Sequence, residues 1–284
     1  MPNATLKLTL LTTLVMLAFA ANSLLCREAL TSDGIGAASF TLIRLVSGAA
    51  VLWLLIFIRH RRTHVEGDWL SAAALFGYAA GFSYAYLNLS AGSGALLLFG
   101  AVQLTMISYG ILKGERLSRW QILGALSAFG GLIWLVMPGV TTPPLFSAML
   151  MIGAGISWGI YSLRGRAAQE PTLATAGNFA RSVPFAVLLF MLLWGQNETV
   201  TETGVLYALA SDAIASGLGY ALWYAVLPAL ASTTAATLQL SVPVIAALGG
   251  ALLLGEAFTL RFGIAAITVL GGLLVFILNQ PRIK

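Results

Sequence analysis

Charge is what this chain has least of. Asp, Glu, Lys and Arg make up 9% of its 284 residues, whereas a soluble domain carries about 25%. An ordinary water-facing surface is therefore excluded. Cysteine is nearly absent too. Cys26 stands alone, so no disulfide can form within the chain. The two histidines, His60 and His64, share one basic run, R-H-R-R-T-H, and neither sits in an apolar stretch. No His/Cys/Asp/Glu cluster has metal-ligand spacing, so no metal and no cofactor is expected. There is no Walker A motif for ATP hydrolysis and no filter motif of a selective pore. A serine protease buried in a membrane would need a His near a residue such as Ser93, and an aspartyl one would need two deep acids. Neither pattern is present, and the expectation is that the chain is not an enzyme.

What is present is apolar. Hydrophobic residues make up 59% of the chain and the mean hydropathy is +0.91. Runs of about 20 apolar residues recur, each enough to cross a bilayer core about 30 Å thick. A β-barrel would instead alternate polarity over strands of about ten residues. The expected fold is an all-α polytopic membrane protein with ten transmembrane helices. They run roughly over 6–30, 37–58, 69–89, 92–112, 120–137, 146–163, 172–194, 210–227, 232–254 and 261–278. Lys7, an apolar run and Ala18-Phe19-Ala20 imitate a secretion signal with an A-x-A site. We read them as the first span, because the repeat described next needs it.

Leu89 to Val136 recurs after a shift of 141 positions. Gly114-Glu115 lands on Gly255-Glu256, and Gly130-Gly131-Leu132 on Gly271-Gly272-Leu273. The run from Pro138 to Pro144 cannot be helical through its prolines and divides the chain into repeats 1–140 and 141–284. Five spans per repeat is an odd number, so the second repeat enters the membrane inverted. Short-loop Lys and Arg set the orientation. With both termini cytoplasmic, Lys7, Arg59, Arg61, Arg62, Lys113, Arg116, Arg119, Arg164, Arg166, Arg282 and Lys284 all lie inside, and only Arg27 and Arg261 lie outside. The net charge of +5 is thus assigned to cytoplasmic loops, and no nucleic-acid partner is expected. Inverted repeats are the architecture of alternating-access transporters, with the substrate near the midplane. Some channels share it, and saturable flux with counterflow separates the two.

A set of short motifs carries a family resemblance. They are Ser157-Trp158-Gly159 in span six, an arginine inside spans two and seven (Arg44, Arg181), Ala231-Ser232-Thr233-Thr234-Ala235-Ala236 entering span nine, Pro243 within it, and Gly-Glu before spans five and ten. Their order over nearly the whole chain resembles the ten-helix drug/metabolite transporter superfamily, in particular its EamA-type exporters. Phe19-Ala20 replaces the W-G often found in span one, and Val102 a common proline of span four. The resemblance implies a secondary exporter of small amphipathic metabolites in a bacterial inner membrane. Its aromatic content is most like that of the neutral and aromatic amino-acid exporters. Drugs, nucleosides and sugars are the alternative cargoes. One chain encloses a pathway, so a monomer suffices and a dimer is possible.

Candidate substrate contacts come from polar and aromatic residues within spans. Pro243 frees the carbonyl of Gln239, whose amide adds a donor at the same depth; the structural alternative is a satisfied kink. Gln103 is a comparable amide in span four. Asn22 in span one and Trp158 and Tyr161 in span six pair an amide with a phenol, or else form interhelical bonds. Tyr78, Phe82 and Tyr86 fall four apart on one face of span three, and Tyr220 and Tyr224 repeat that spacing beside Trp223. Such a wall suits an amphipathic ligand or ordinary packing. Arg44 and Arg181 are intramembrane cations, candidates for gating or charge pairing, with snorkelling as the alternative. Glu115 and Glu256 are read as favouring the N-termini of the helices that follow them. Ser211-Asp212 is read as an N-cap, which leaves no deep carboxylate.

Overall fold

The structure is a computed structural model, in which residues 2–32, 34–60, 66–139, 142–165, 170–193, 199–212, 215, 219–226, 230 and 238–279 are described. Its helices are α1 (Pro2–Thr31), α2 (Ala37–His60), α3 (Trp69–Tyr86), α4 (Ala91–Leu112), α5 (Arg119–Val136), α6 (Leu145–Gly165), α7 (Pro171–Leu193), α8 (Glu202–Leu209), α9 (Gly219–Val226), α10 (Ser241–Leu253) and α11 (Leu260–Leu278). Seven of them are long and apolar enough to cross a bilayer.

Helix starts follow local chemistry. Asp68 accepts from the Leu70 and Ser71 amides to cap α3. Ser118 and Gln121 form a reciprocal capping box on α5. Thr201 and Thr259 cap α8 and α11. Gly114 and Gly255 end α4 and α10 at φ +89° and +65°, a left-handed conformation that glycine adopts without a Cβ penalty.

The helices pack as a bundle. α3 lies against α6 and α7, α4 against α6 and α10, α2 against α7 and α8, α1 against α8, α9 and α10, and α5 against α11. Large apolar side chains such as Phe57, Leu112, Leu252 and Ile267 cover the exterior. Hydrocarbon, rather than water, accommodates such a surface.

Three readings from sequence are corrected. Span eight begins at Glu202, capped by Thr201, eight residues before the expected Ala210. After Leu209 the backbone widens to a π turn over 210–212. Asp212 therefore lies inside the span, not at its cap. Pro243 does not sit in an unbroken helix. The chain turns at Leu240 and α10 starts anew at Ser241, so Pro243 occupies the first turn, where an amide has no intrahelical acceptor. Glu256 does not serve α11, which begins four residues later. Its carboxylate accepts from the Ala91 amide at the start of α4.

Candidate functional site

Tyr78 lies halfway along α3, about 13 Å from either end at 1.5 Å per residue. Around it converge polar side chains from α1, α2 and the π turn that follows α8. Arg44 of α2 donates from Nε and Nη2 to Oδ1 of Asp212, at 3.3 and 3.0 Å. The two side chains are 1% and 2% exposed. Asn22 of α1 donates to the Tyr78 hydroxyl at 3.4 Å and accepts from the Ser211 hydroxyl at 2.5 Å. The guanidinium carbon stands 5.1 Å from the Phe82 ring centre, 5.7 Å from Tyr78 and 5.9 Å from Phe40, within cation–π reach. Arg44 is thus a buried, paired cation and does not snorkel.

An aromatic column rises from this cluster. Tyr86, Phe82 and Tyr78 stack along α3 at 4.7 and 5.4 Å. Trp158 of α6 joins Tyr78 at 4.8 Å, and Tyr161 joins Trp158 at 5.3 Å. The helices approach closely because Gly77 and Gly81 face Ser157 and Ala154 of α6. The structure thus brings Asn22, Arg44, Tyr78, Phe82, Trp158 and Tyr161 together.

Other candidates lie elsewhere. Trp223 is buried in a second apolar cluster with Val15, Met16 and Val242, edge-on to Phe19 at 6.2 Å. Gln103 on α4 and Gln239 ahead of α10 are half-buried. The side chains of Tyr220 and Tyr224 and residues 231–237 lie outside the described residues. Arg181, mid-way along α7, donates to the Glu66 carbonyl at 3.0 Å. It ties α7 to the segment before α3.

The two ends of the bundle are tied differently. At the Asp68 end, Arg164 reaches Asp68 at 2.9 Å, and the Asn178 amide oxygen accepts from the Asp68 N–H. Slight burial raises the Asp68 pKa, but hydrogen bonds from Ser71 and then Arg164 outweigh it and hold the carboxyl below its ordinary value. At the other end, Arg27 pairs with Glu256 at 3.1 Å and donates to the carbonyls of Tyr86 and Leu87. Ile35 and Val200 form an antiparallel bridge there. A cavity of about 230 Å³ opens at this end, lined by Asn88, Ser93, Pro144, Glu256 and Phe262 among others. Glu256→Ala removes the ion-pair partner of Arg27 and the carboxylate that accepts from the Ala91 amide, while Ser90 still caps α4 through the Ser93 amide. We expect a loss of about 1–2 kcal/mol, since a cap is worth about 1. Faster amide exchange confined to residues 88–96, read by mass spectrometry, is the check; unchanged exchange there refutes the capping role.

Sequence reasoning missed Asp212. The signal was the apolar run Val205 to Ala210 directly before it, which already belongs to the span.

The fold and site define a multi-pass α-helical membrane protein with an ion pair buried among its helices. A family model described as the EamA-like transporter family matches residues 145–278. An uncharacterized protein of Pseudomonas aeruginosa is 53% identical, over 96% of this chain and 95% of its own. The chain belongs to the EamA-like transporter family. The threonine/homoserine exporter RhtA of Salmonella typhimurium is 26% identical, over 100% of this chain and 98% of its own. A crystal structure shares the fold at a TM-score of 0.68 and 20% identity, covering 98% of each chain.

Proposed function

We propose that the chain is a secondary transporter that exports small amphipathic metabolites, in particular neutral and aromatic amino acids. It would act by alternating access across a bacterial inner membrane, with both termini cytoplasmic. The observation that carries this reading is the polar cluster at mid-depth. Asn22, Arg44 and Tyr78 come from residues 1–140, and Ser211 and Asp212 from residues 141–284. Charge within an apolar bundle is costly and marks a pathway, and a site shared by two repeats is where an inverted-repeat carrier holds its cargo.

Two inverted repeats are supported by the packing. Exchanging each helix with its partner five spans along turns α3–α6 into the contact of α1 with α8 and α9. The same exchange turns α4–α6 into α1–α10 and α3–α7 into α2–α8. The pairs α2–α7, α4–α10 and α5–α11 map onto themselves. The turn at Leu240 supports a discontinuous helix beside the pathway, of the kind that exposes backbone groups to cargo. The tie between Arg181 and Glu66 supports a gating role for that arginine. The aromatic column would line the cargo's apolar part, while Gln239 and Gln103 would reach it from the turn before α10 and from α4. The cargoes that RhtA is named for, threonine and homoserine, are amino acids, which favours this substrate class over drugs, nucleosides and sugars.

The test is counterflow. Purified protein in liposomes preloaded with one unlabelled amino acid takes up a trace of labelled substrate. Uptake accelerated only by the matching preload is the expected result. Gln239→Ala should slow it about tenfold, the equivalent of one lost hydrogen bond of about 1.4 kcal/mol. No acceleration by any amino acid, with folded protein, refutes the amino-acid reading. Acceleration by nucleosides or sugars would then keep the carrier and change the cargo.

A further inference from the structure

The pair of Arg44 and Asp212 is incomplete in a specific way. Both Nε and Nη2 of Arg44 converge on one oxygen, Oδ1. Among the described residues, Nη1 of Arg44 and Oδ2 of Asp212 are buried and have no hydrogen-bond partner. A buried charged group left partly unsatisfied is expensive, and a pair built only for stability would use both oxygens, as bidentate Arg–carboxylate pairs do. On the Oδ2 side stands Gly48, where an added Cβ would lie 3.0 Å from that oxygen and 2.6 Å from the Phe179 ring, so the bare glycine lets both the carboxylate and the ring pack against α2. On the other flank lie Phe40, Tyr78 and Phe82.

We propose that Arg44 and Asp212 form a clamp for a zwitterion, in which the carboxylate of an α-amino acid takes Arg44 Nη1 and its ammonium takes Asp212 Oδ2. In the structure the two side chains close on each other through Oδ1. This rests on the transporter reading above and specifies how its cargo is recognised. The charge balance selects the ligand. The closed pair is neutral, so an anion alone or a cation alone would add a net charge to a site of low dielectric, which is strongly penalised. A molecule carrying both charges on neighbouring atoms adds none, and it supplies the donor and the acceptor that the two orphaned atoms lack. The ligand's side chain then falls against Tyr78, Phe82 and Trp158, where an apolar or aromatic group is accommodated.

The experiment uses the full chain in liposomes and counterflow of labelled L-phenylalanine, L-leucine and L-threonine. The best of these is compared with its amide, its decarboxylated amine and its deaminated acid, each lacking one charge. We expect exchange with the intact amino acid, and at least about tenfold less with each of the three analogues. A second arm uses the double variant Arg44→Gln/Asp212→Asn, which removes both charges and leaves polar side chains able to hydrogen-bond in their place. It should elute as the parent does on size exclusion and lose exchange by at least about tenfold. Amides or amines that exchange as fast as the amino acid overturn the clamp and leave the transporter reading standing. So does a folded double variant with full exchange. No exchange by any amino acid overturns the clamp together with the amino-acid reading. Should the double variant fail to fold, the analogue series on the parent protein still decides.

Discussion

Asp212→Leu is expected to destabilise the protein by about 3–5 kcal/mol, because Arg44 would remain charged, buried and without a partner. The site allows little escape. Arg44 is 1% exposed, and its nearest other groups are the aromatic rings of Phe40, Tyr78 and Phe82, which supply only partial compensation. Snorkelling would require the guanidinium to leave the bundle interior past these rings. Replacing both partners is a different matter. Arg44→Met/Asp212→Leu removes two charges at once and exchanges them for apolar bulk, which is often neutral or stabilising. The expected pattern in thermal unfolding of detergent-solubilised protein is a large drop in Tm for the single variant and recovery in the double one. The recovered double variant would remain inactive in counterflow. A single variant as stable as the parent would show that the pair is not what neutralises Arg44.

The second large effect is expected at the contact of α5 with α11. A Cβ added at Gly272 would stand 2.5 Å from the Gly124 carbonyl oxygen and 2.7 Å from the Ala128 amide nitrogen. A Cβ at Gly124 would stand 2.5 Å from the Gly272 carbonyl and 2.9 Å from the Phe276 amide. These neighbours are backbone, so no rotamer change relieves the clash. Overpacking costs about 1–3 kcal/mol, and Gly272→Leu belongs at the upper end. Adjacent residues supply the control. Among the described residues, Gly271 and Gly130 have nothing within 4 Å of an added Cβ. Gly271→Leu and Gly130→Leu should be neutral or slightly stabilising, since glycine costs a helix about 1 kcal/mol relative to alanine. Thermal unfolding of the three variants checks this. Equal effects at Gly271 and Gly272 would mean that the two helices do not meet along this face.

The same glycines show where sequence reading stops. The sequence repeats a Gly-Gly in spans five and ten, and small residues of this kind permit close approach of membrane helices. Which glycine of each pair faces the partner depended on the rotation of one helix against another. Gly124, Gly131 and Gly272 face across that contact, while Gly130 and Gly271 face outward.

The site divides in the same way. Tyr78, Phe82 and Tyr86 were legible as one face because residues four apart share a side of a helix. Arg44 was legible because an arginine within an apolar run needs an explanation. Its partner was not. Ser-Asp at 211–212 has the composition of an N-cap, and composition alone cannot distinguish a cap from a carboxylate in mid-span. The decision came from Thr201, which starts the helix eight residues earlier than expected, and from 168 residues of separation that the fold closes to 3.0 Å. Glu256 was misassigned for a related reason. Local sequence placed it before α11, but it serves α4, 165 residues away.

The sequence by itself determined that this is a helical membrane protein and where most of its helices lie. These properties follow from apolar run length, backbone hydrogen bonding that must be satisfied in lipid, and local capping chemistry, all of which act over a few residues. The tertiary structure alone decided which buried charges meet, which glycines touch and where a helix breaks. Those depend on the rotation and depth of helices against each other, set by packing between segments far apart in the chain.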